Sequence, residues 1–209
     1  MSRPKRYIIS NGVRTNSNDL QSWHFRAARW VDDNTDAKGD TYHYAAPGSL
    51  AWHLRKRHVE RLGQCLYDTS LVGRRDVVFV GHSWSTDLFA RAMERYPVLR
   101  VHSAHLIGGA AQESFKTNGL NAALRAGRLG RVAVYFNPGD PVLLGHRWWK
   151  YLGYGKLGLN GPTDVAADVA HLVTAVKCPG VGHSGYFAGD QFARTMRMVT
   201  ADPDAQGVT

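Results

Sequence analysis

The stretch Asp76–Ala90 constrains this chain more than any other. Val77-Val78-Phe79-Val80 is an apolar run, followed at once by Gly81-His82-Ser83-Trp84-Ser85 and then by a helix-compatible segment from Thr86 towards Tyr96. A buried strand, a tight turn and a helix in succession set Ser83 on a sharp bend with its hydroxyl pushed outwards. Strand and helix backbones nearly touch at such a bend, so the residues two before and two after must be small. Gly81 meets this fully, and Ser85 keeps a small side chain where glycine would be freer. Ser83 is therefore a candidate nucleophile, which needs a base and an acid from elsewhere in the chain.

The segments around it alternate in kind. Tyr7-Ile8-Ile9-Ser10 reads as a strand ended by Asn11-Gly12. Asp19 to Val31 carries Leu20, Trp23, Ala27, Ala28, Trp30 and Val31 at helical spacing. The acidic stretch Asp32-Asp33-Asn34-Thr35-Asp36, closing at Gly39, has the look of a calcium loop. However, Ala37 stands where the sharp turn needs glycine and His43 where the bidentate glutamate belongs, so a polar surface loop is expected. Thr41–Ala45 reads as a second strand, and Ser49 as a cap for a helix carrying Leu50, Leu54, Val59, Leu62 and Leu66. Beyond the central stretch come a strand over Val101–Ile107, a helix over Asn118–Ala126 and a strand over Val132–Phe136. An aromatic, glycine-rich connection from Leu143 to Gly161, a strand over His171–Val176 and a helix from Phe187 or Gly189 to Val199 complete the chain. Strands alternating with helices predict an α/β fold: a mostly parallel, roughly six-stranded sheet covered by helices on both faces. No repeat or linker divides the chain, so a single domain over 1–209 is expected.

Composition narrows the classes of function. With 44% hydrophobic and 21% charged residues, the 209-residue chain reads as soluble and globular. No apolar run approaches the roughly 18 residues of a membrane span, and Met1-Ser2-Arg3-Pro4-Lys5-Arg6 leads into a strand without the apolar core of a secretory signal. A cytoplasmic location is expected. Cys65 and Cys178 make no disulfide framework and are expected as free thiols. His102 and His105 fall on opposite faces of a strand, so no chelate is expected there, and neither a metal nor another cofactor is called for. The net charge of +9 raises a nucleic-acid or anionic partner. Its densest cluster, Arg55-Lys56-Arg57-His58 with Arg61, reads more simply as a solvated helix face, and no specific nucleic-acid partner is predicted.

In an open parallel sheet, reactive groups gather beyond the carboxyl ends of the strands. Ser83 follows the third predicted strand, Asp140 the fifth and His183 the sixth. The order Ser, Asp, His belongs to the scaffold with a strand–serine–helix elbow. Competing readings stay open. An ordinary turn serine is the competing reading of Ser83, which the flanking apolar strand and helix disfavour. Asp164 or Asp168 would replace Asp140 as the acid, and His146 or His171 would replace His183 as the base. His82 is expected to be structural, because the elbow turns adjacent side chains apart.

The motifs Asn11-Gly12, Gly81-His82-Ser83-Trp84-Ser85, Asn137-Pro138-Gly139-Asp140-Pro141-Val142 and Gly182-His183-Ser184-Gly185-Tyr186 carry a resemblance. Over nearly its whole length, the chain resembles a small member of the α/β-hydrolase superfamily. The chemistry then gives Ser83 as nucleophile, His183 as the base that accepts its proton, and Asp140 as the group that orients the imidazole. The amide of Trp84 is one oxyanion donor. The resemblance implies the second, from the turn where Asn11-Gly12-Val13 matches the family's His-Gly-X; Val13 is preferred, with Arg14 next. Asn11 and Ser85 depart from the family pattern but are small or polar enough to keep its geometry. Only Gly108 to Arg131 is available for a cap between the fourth and fifth strands, so an open site is expected. Trp148, Trp149, Tyr151 and Tyr154, with Gly153, Gly155 and Gly158, either wall an acyl or aromatic pocket near His183 or cover the core edge. The expectation is a metal-free serine hydrolase acting on a small-molecule or lipid-like ester or thioester. An acyltransferase using the same residues, or a non-catalytic protein binding an anionic polymer through its basic surface, are the alternatives.

Overall fold

The computed structural model describes residues 3–12, 22–43, 51–145 and 154–201, with the backbone alone for 51–53. Six strands form one sheet: β1 (Lys5–Ser10), β2 (Lys38–Tyr42), β3 (Asp76–His82), β4 (Val101–Ile107), β5 (Leu129–Phe136) and β6 (Val173–Lys177). All neighbouring pairs are parallel, in the order β2-β1-β3-β4-β5-β6. The chain starts inside the sheet, steps outwards to β2, then crosses back over β1 to β3 and proceeds to the other edge. The order therefore reverses between β1 and β3, where Ser10 pairs with Gly81. In open α/β sheets, ligands usually bind where the strand order reverses in this way.

Both faces of the sheet are apolar, which is why a parallel sheet with helices on each side is the stable arrangement. Ile8, Val77, Phe79, Ala104, Leu106, Val132 and Val134 face one cluster. There they meet α2 (Ala51–Tyr67) through Val59, Leu62 and Leu66, α3 (Trp84–Arg95) through Leu88, Phe89 and Met93, and α4 (Leu120–Arg125). Tyr7, Ile9, Val78, Val80, Ile107 and Tyr135 face the other, against Ala27, Ala28 and Val31 of α1 (Trp23–Asn34) and Phe192, Met196 and Val199 of α7 (Gly189–Thr200). On both of those helices the buried residues recur at helical spacing, as an amphipathic surface helix requires. The short helices α5 (Pro141–Gly145) and α6 (Leu157–Asn160) lie in the connection from β5 to β6.

Several boundaries differ from those read in the sequence. β2 begins at Lys38, inside the stretch expected to be loop, and ends at Tyr42. It is an edge strand, held by pairing to β1 and by the ion pair of Arg6 with Asp40, so it does not need an apolar alternation to form. α1 runs on through Asp32 and Asp33 to Asn34, because its last turn is solvent-facing and tolerates acids. The elbow helix begins at Trp84, two residues before the expected start. His171 lies in a 3-10 turn, Ala167–Leu172, ahead of β6. Between β4 and β5 the one helix is the short α4, with turns and an isolated bridge from Ser114 to Thr163.

The basic cluster of α2 is not one surface patch. Arg55 turns inward, its guanidinium 4.3 Å above the Tyr154 ring and Nε 3.5 Å from the buried Asp87, and His58 is buried beside Trp84. Lys56, Arg57 and Arg61 remain exposed. Cys65 and Cys178 are both free thiols. Among the described residues no helix is long and apolar enough to cross a membrane, and no group of three or more His, Cys, Asp or Glu is gathered as for a metal.

Candidate active site

Ser83 joins β3 to α3 with φ 57° and ψ −120°. A residue with a side chain rarely holds such a backbone, which costs on the order of 1–3 kcal/mol and persists only where its surroundings impose it. Here the restraints are explicit. The Ser83 amide donates to Ile107 O at 3.0 Å, and its carbonyl accepts from Ala110 N at 3.0 Å, Thr86 N at 3.2 Å and Thr86 Oγ1 at 2.7 Å. The close passage of strand and helix explains the small residues. A Cβ on Gly81 would stand 2.6 Å from the Phe79 ring and 2.9 Å from Ser85 Oγ. Ser85 uses its hydroxyl within the elbow, donating to His82 O at 2.9 Å, with Ser10 O also in reach at 3.2 Å. The departure from glycine thus ties the elbow to the end of β1.

Asp140 and His183 come to Ser83 from the loops beyond the ends of β5 and β6. Asn137, just past β5, folds the acid turn through an acceptor bond from Gly139 N at 3.0 Å. Asp140 follows, fully buried, immediately before α5. Its Oδ1 accepts from the amides of Val142 (3.0 Å) and Leu143 (3.2 Å), and its Oδ2 lies 2.7 Å from His183 Nδ1. Burial by itself would raise the carboxyl pKa. The bond and charge of His183, with the amides of Leu143 and Val142, outweigh that and hold it below the ordinary carboxylate value. His183 Nε2 then lies 3.0 Å from Ser83 Oγ. With a carboxylate accepting at Nδ1, the neutral imidazole carries its proton there and presents Nε2 as an acceptor to the serine hydroxyl.

The expected residues are therefore brought together, and the described competitors are not. Asp168 pairs with Arg125 at the surface, 2.6 Å, and Asp164 offers its carbonyl to Asn121. His146, Val13, Arg14, Trp148, Trp149, Tyr151 and Gly153 lie outside the described residues. Trp84 opens α3, so its N–H is among those a helix cannot satisfy internally. Asn11 and Gly12 are both buried beside the elbow; a Cβ on Gly12 would stand 3.2 Å from that of Ser83. Tyr154 is buried, edge-on to Trp84 at 6.5 Å, and so belongs to the core edge. With Leu143, Gly155, Lys156 and Asn160 it also borders a cavity of about 480 Å³ next to the acid turn. A few residues on, the backbone packs directly on the turn after β4: a Cβ on Gly158 would stand 2.3 Å from the backbone of Gly108 and Gly109.

Two contacts were not anticipated from the sequence. The His82 ring does not turn away: its centroid is 4.8 Å from that of His183, and its Nε2 is 2.8 Å from His183 O. Asn137 Nδ2 donates to Val181 O at 2.7 Å, joining the acid turn to the loop of His183. Burial, then the neighbouring His183, push the His82 pKa down to about 3. A histidine and an asparagine beside the candidate residues were the only sequence signals for these contacts.

The fold is that of the α/β-hydrolase superfamily. No protein-family model matches the chain, and no curated protein is matched by sequence. Solved structures are matched by shape. The chain is similar to a thermophilic esterase from Thermogutta terrifontis with butyrate bound, at 12% identity and a TM-score of 0.57, covering 99% of this chain and 84% of that one. It is also similar to an α/β serine hydrolase without a lid from Xanthomonas campestris, at 10% identity and a TM-score of 0.56, covering 100% and 85%. A third structure, from Agrobacterium vitis, gives 13% identity and a TM-score of 0.58 over 94% and 87%.

Proposed function

We propose that the protein is a serine hydrolase that cleaves a carboxylic ester or thioester through an acyl-enzyme on Ser83. The single observation that carries this reading is the continuous relay from Asp140 Oδ2 to His183 Nδ1, and from His183 Nε2 to a Ser83 held on a strained elbow. A serine hydroxyl is a weak nucleophile at neutral pH. As Oγ attacks the carbonyl carbon, its proton passes to His183 Nε2, and Asp140 stabilises the imidazolium without taking a proton. The negative charge then developing on the carbonyl oxygen falls to the amide of Trp84 and to a second donor from the turn after β1, where Val13 is the candidate. Each donor of this kind contributes about 3 kcal/mol to lowering the barrier. His183 returns its proton to the leaving alcohol or thiol. A water molecule then attacks the acyl-enzyme with the same histidine as base, regenerating Ser83. The kinship in shape with esterases, one of them recorded as phosphoramylated by tabun, supports this chemistry.

The test is a series of chromogenic esters of increasing acyl length, run on wild type and Ser83→Ala. Hydrolysis by wild type that disappears in Ser83→Ala supports the proposal. Hydrolysis that continues unchanged in Ser83→Ala refutes it.

A further inference from the structure

His82 ends β3, directly before Ser83, and is 5% exposed. Its ring stands edge-on to Trp23 (5.8 Å, 81°) and Phe187 (5.2 Å, 87°), which stack on one another at 3.8 Å. That aromatic pair fixes the orientation of the imidazole. The main-chain oxygen of His183, 2.8 Å from Nε2, can only accept, so the proton of His82 is on Nε2 and Nδ1 is left as an acceptor. Burial and the neighbouring His183 keep His82 neutral down to about pH 3, so it does not compete with His183 for a proton during turnover. On its other side the ring abuts the turn after β1: a Cβ on Gly12 would stand 3.1 Å from Nδ1.

The main chain of the segment that His82 grips is thinly held, although Val181 packs against the core and the His183 ring meets Asp140 and Ser83. Of residues 180–184 none is buried, and Gly180, Gly182 and Ser184 are exposed. Its local backbone bonds are Val181 N to Cys178 O at 3.4 Å, Gly185 N to Gly182 O at 2.8 Å and Phe187 N to Ser184 O at 3.2 Å. Segments with so few buried contacts open at low free energy. Besides the bonds of the His183 ring to Asp140 and Ser83, two side chains hold the main chain of this segment, Asn137 at Val181 O and His82 at His183 O. The second acts on the residue that bears the imidazole itself.

We propose that His82 is a positioning residue: its Nε2–H holds the main chain of His183 so that the imidazole stays in line between Asp140 and Ser83, while its ring braces the Gly12 turn against the elbow. The proposal rests on the serine-hydrolase reading above. A displacement of about 1 Å in such a relay costs about a hundredfold in rate.

Three variants test it. His82→Gln sets an amide nitrogen about where Nε2 stands, His82→Asn carries the same group too short to reach, and His82→Leu carries no donor. The readouts are the rate of fluorophosphonate labelling, kcat and KM for a short ester, and the downfield proton NMR signal of His183 Nδ1–H. Asn and Leu are expected to lower labelling and kcat about ten- to a hundredfold with KM within about twofold, and to broaden or lose the signal. Gln is expected to stay within about fivefold of wild type and to keep the signal. Wild-type rates in Asn and Leu, or a Gln variant as slow as Leu, would overturn the proposal. Should Leu fail to fold, the comparison of Asn with Gln decides. A wild type that does not label at Ser83 would refute the hydrolase reading instead, and the NMR comparison then tests the hold on His183 by itself.

Discussion

Asp140 and His183 meet at 2.7 Å between Oδ2 and Nδ1, across a separation of 43 residues in the chain. The other carboxylate oxygen is already taken by the amides of Val142 and Leu143. Asp140 therefore offers the imidazole one oxygen in one direction. That fixes the ring's tautomer and leaves Nε2 to the serine. The sheet order makes this meeting possible: β3, β4, β5 and β6 are adjacent and parallel, so the turns following β3, β5 and β6 open on the same edge.

Asp140→Asn follows from this arrangement. The amide oxygen can still accept from Val142 and Leu143, so the turn is kept. The amide nitrogen, however, favours the wrong tautomer of His183. The expected result is an unchanged fold with kcat reduced about 10³- to 10⁴-fold on a chromogenic ester. Retention of more than about a tenth of wild-type kcat would contradict the role given to Asp140.

Residue 85 needs to be small, not hydrogen-bonded, for the elbow to form. Ser85→Gly removes the donor to His82 O. It is expected to cost about 1 kcal/mol, or about 2–4 °C in Tm, with ester hydrolysis retained. Thermal unfolding and a single-substrate assay check this. Loss of hydrolysis in a folded Ser85→Gly would show that the hydroxyl has a role beyond the turn.

Asp87, on the elbow helix, is buried between Arg91, whose Nε lies 3.0 Å from both carboxylate oxygens, and Arg55 at 3.5 Å. Truncation to alanine removes the buried carboxylate that both guanidinium groups face. Asp87→Ala is expected to lose about 3 kcal/mol, which is about 10 °C in Tm for a chain of this size. A change below about 0.5 kcal/mol, typical of exposed sites, would mean that the pair is solvated.

Acid should destabilise the fold well above the range of ordinary carboxylates. Burial, and then the nearby His183, lower the His82 pKa to about 3; burial, and then Arg131, lower that of His105 to about 4. In the unfolded chain both take up protons as pH falls through about 6.5. The folded protein does not, so their contribution to stability is intact above about pH 6.5 and is lost as pH falls towards 4 and then 3. By pH 5 the loss is on the order of 2 kcal/mol per histidine. Urea unfolding at pH 7, 6 and 5 measures it, and His105→Gln should remove about half the slope. A flat stability over that interval would contradict the buried, neutral state of both rings.

The parts readable from sequence were those that a strong local rule controls. The elbow announced itself because a fully buried strand ran straight into small residues and then a helix. Asp140 and His183 were found because each follows a strand directly. β2 was displaced towards Ala45 because an edge strand bearing Lys38 and Asp40 shows no apolar alternation; its start is set by pairing with β1, which is not a local property. His82 was set aside as structural on the rule that the elbow turns adjacent side chains apart. The rule fails at the last residue of β3, where the side chain passes beneath the loop that returns from β6. The ends of distant strands meet there, and only the folded chain brings them together.

The central claim is that Ser83 is the nucleophile that His183 activates. Incubation with a fluorophosphonate, followed by intact-mass and peptide mass spectrometry, tests it most directly. The account predicts one stoichiometric adduct, mapped to Ser83, absent in Ser83→Ala and slowed about a thousandfold or more in His183→Ala. An adduct on another residue, or labelling that persists in Ser83→Ala, would contradict it.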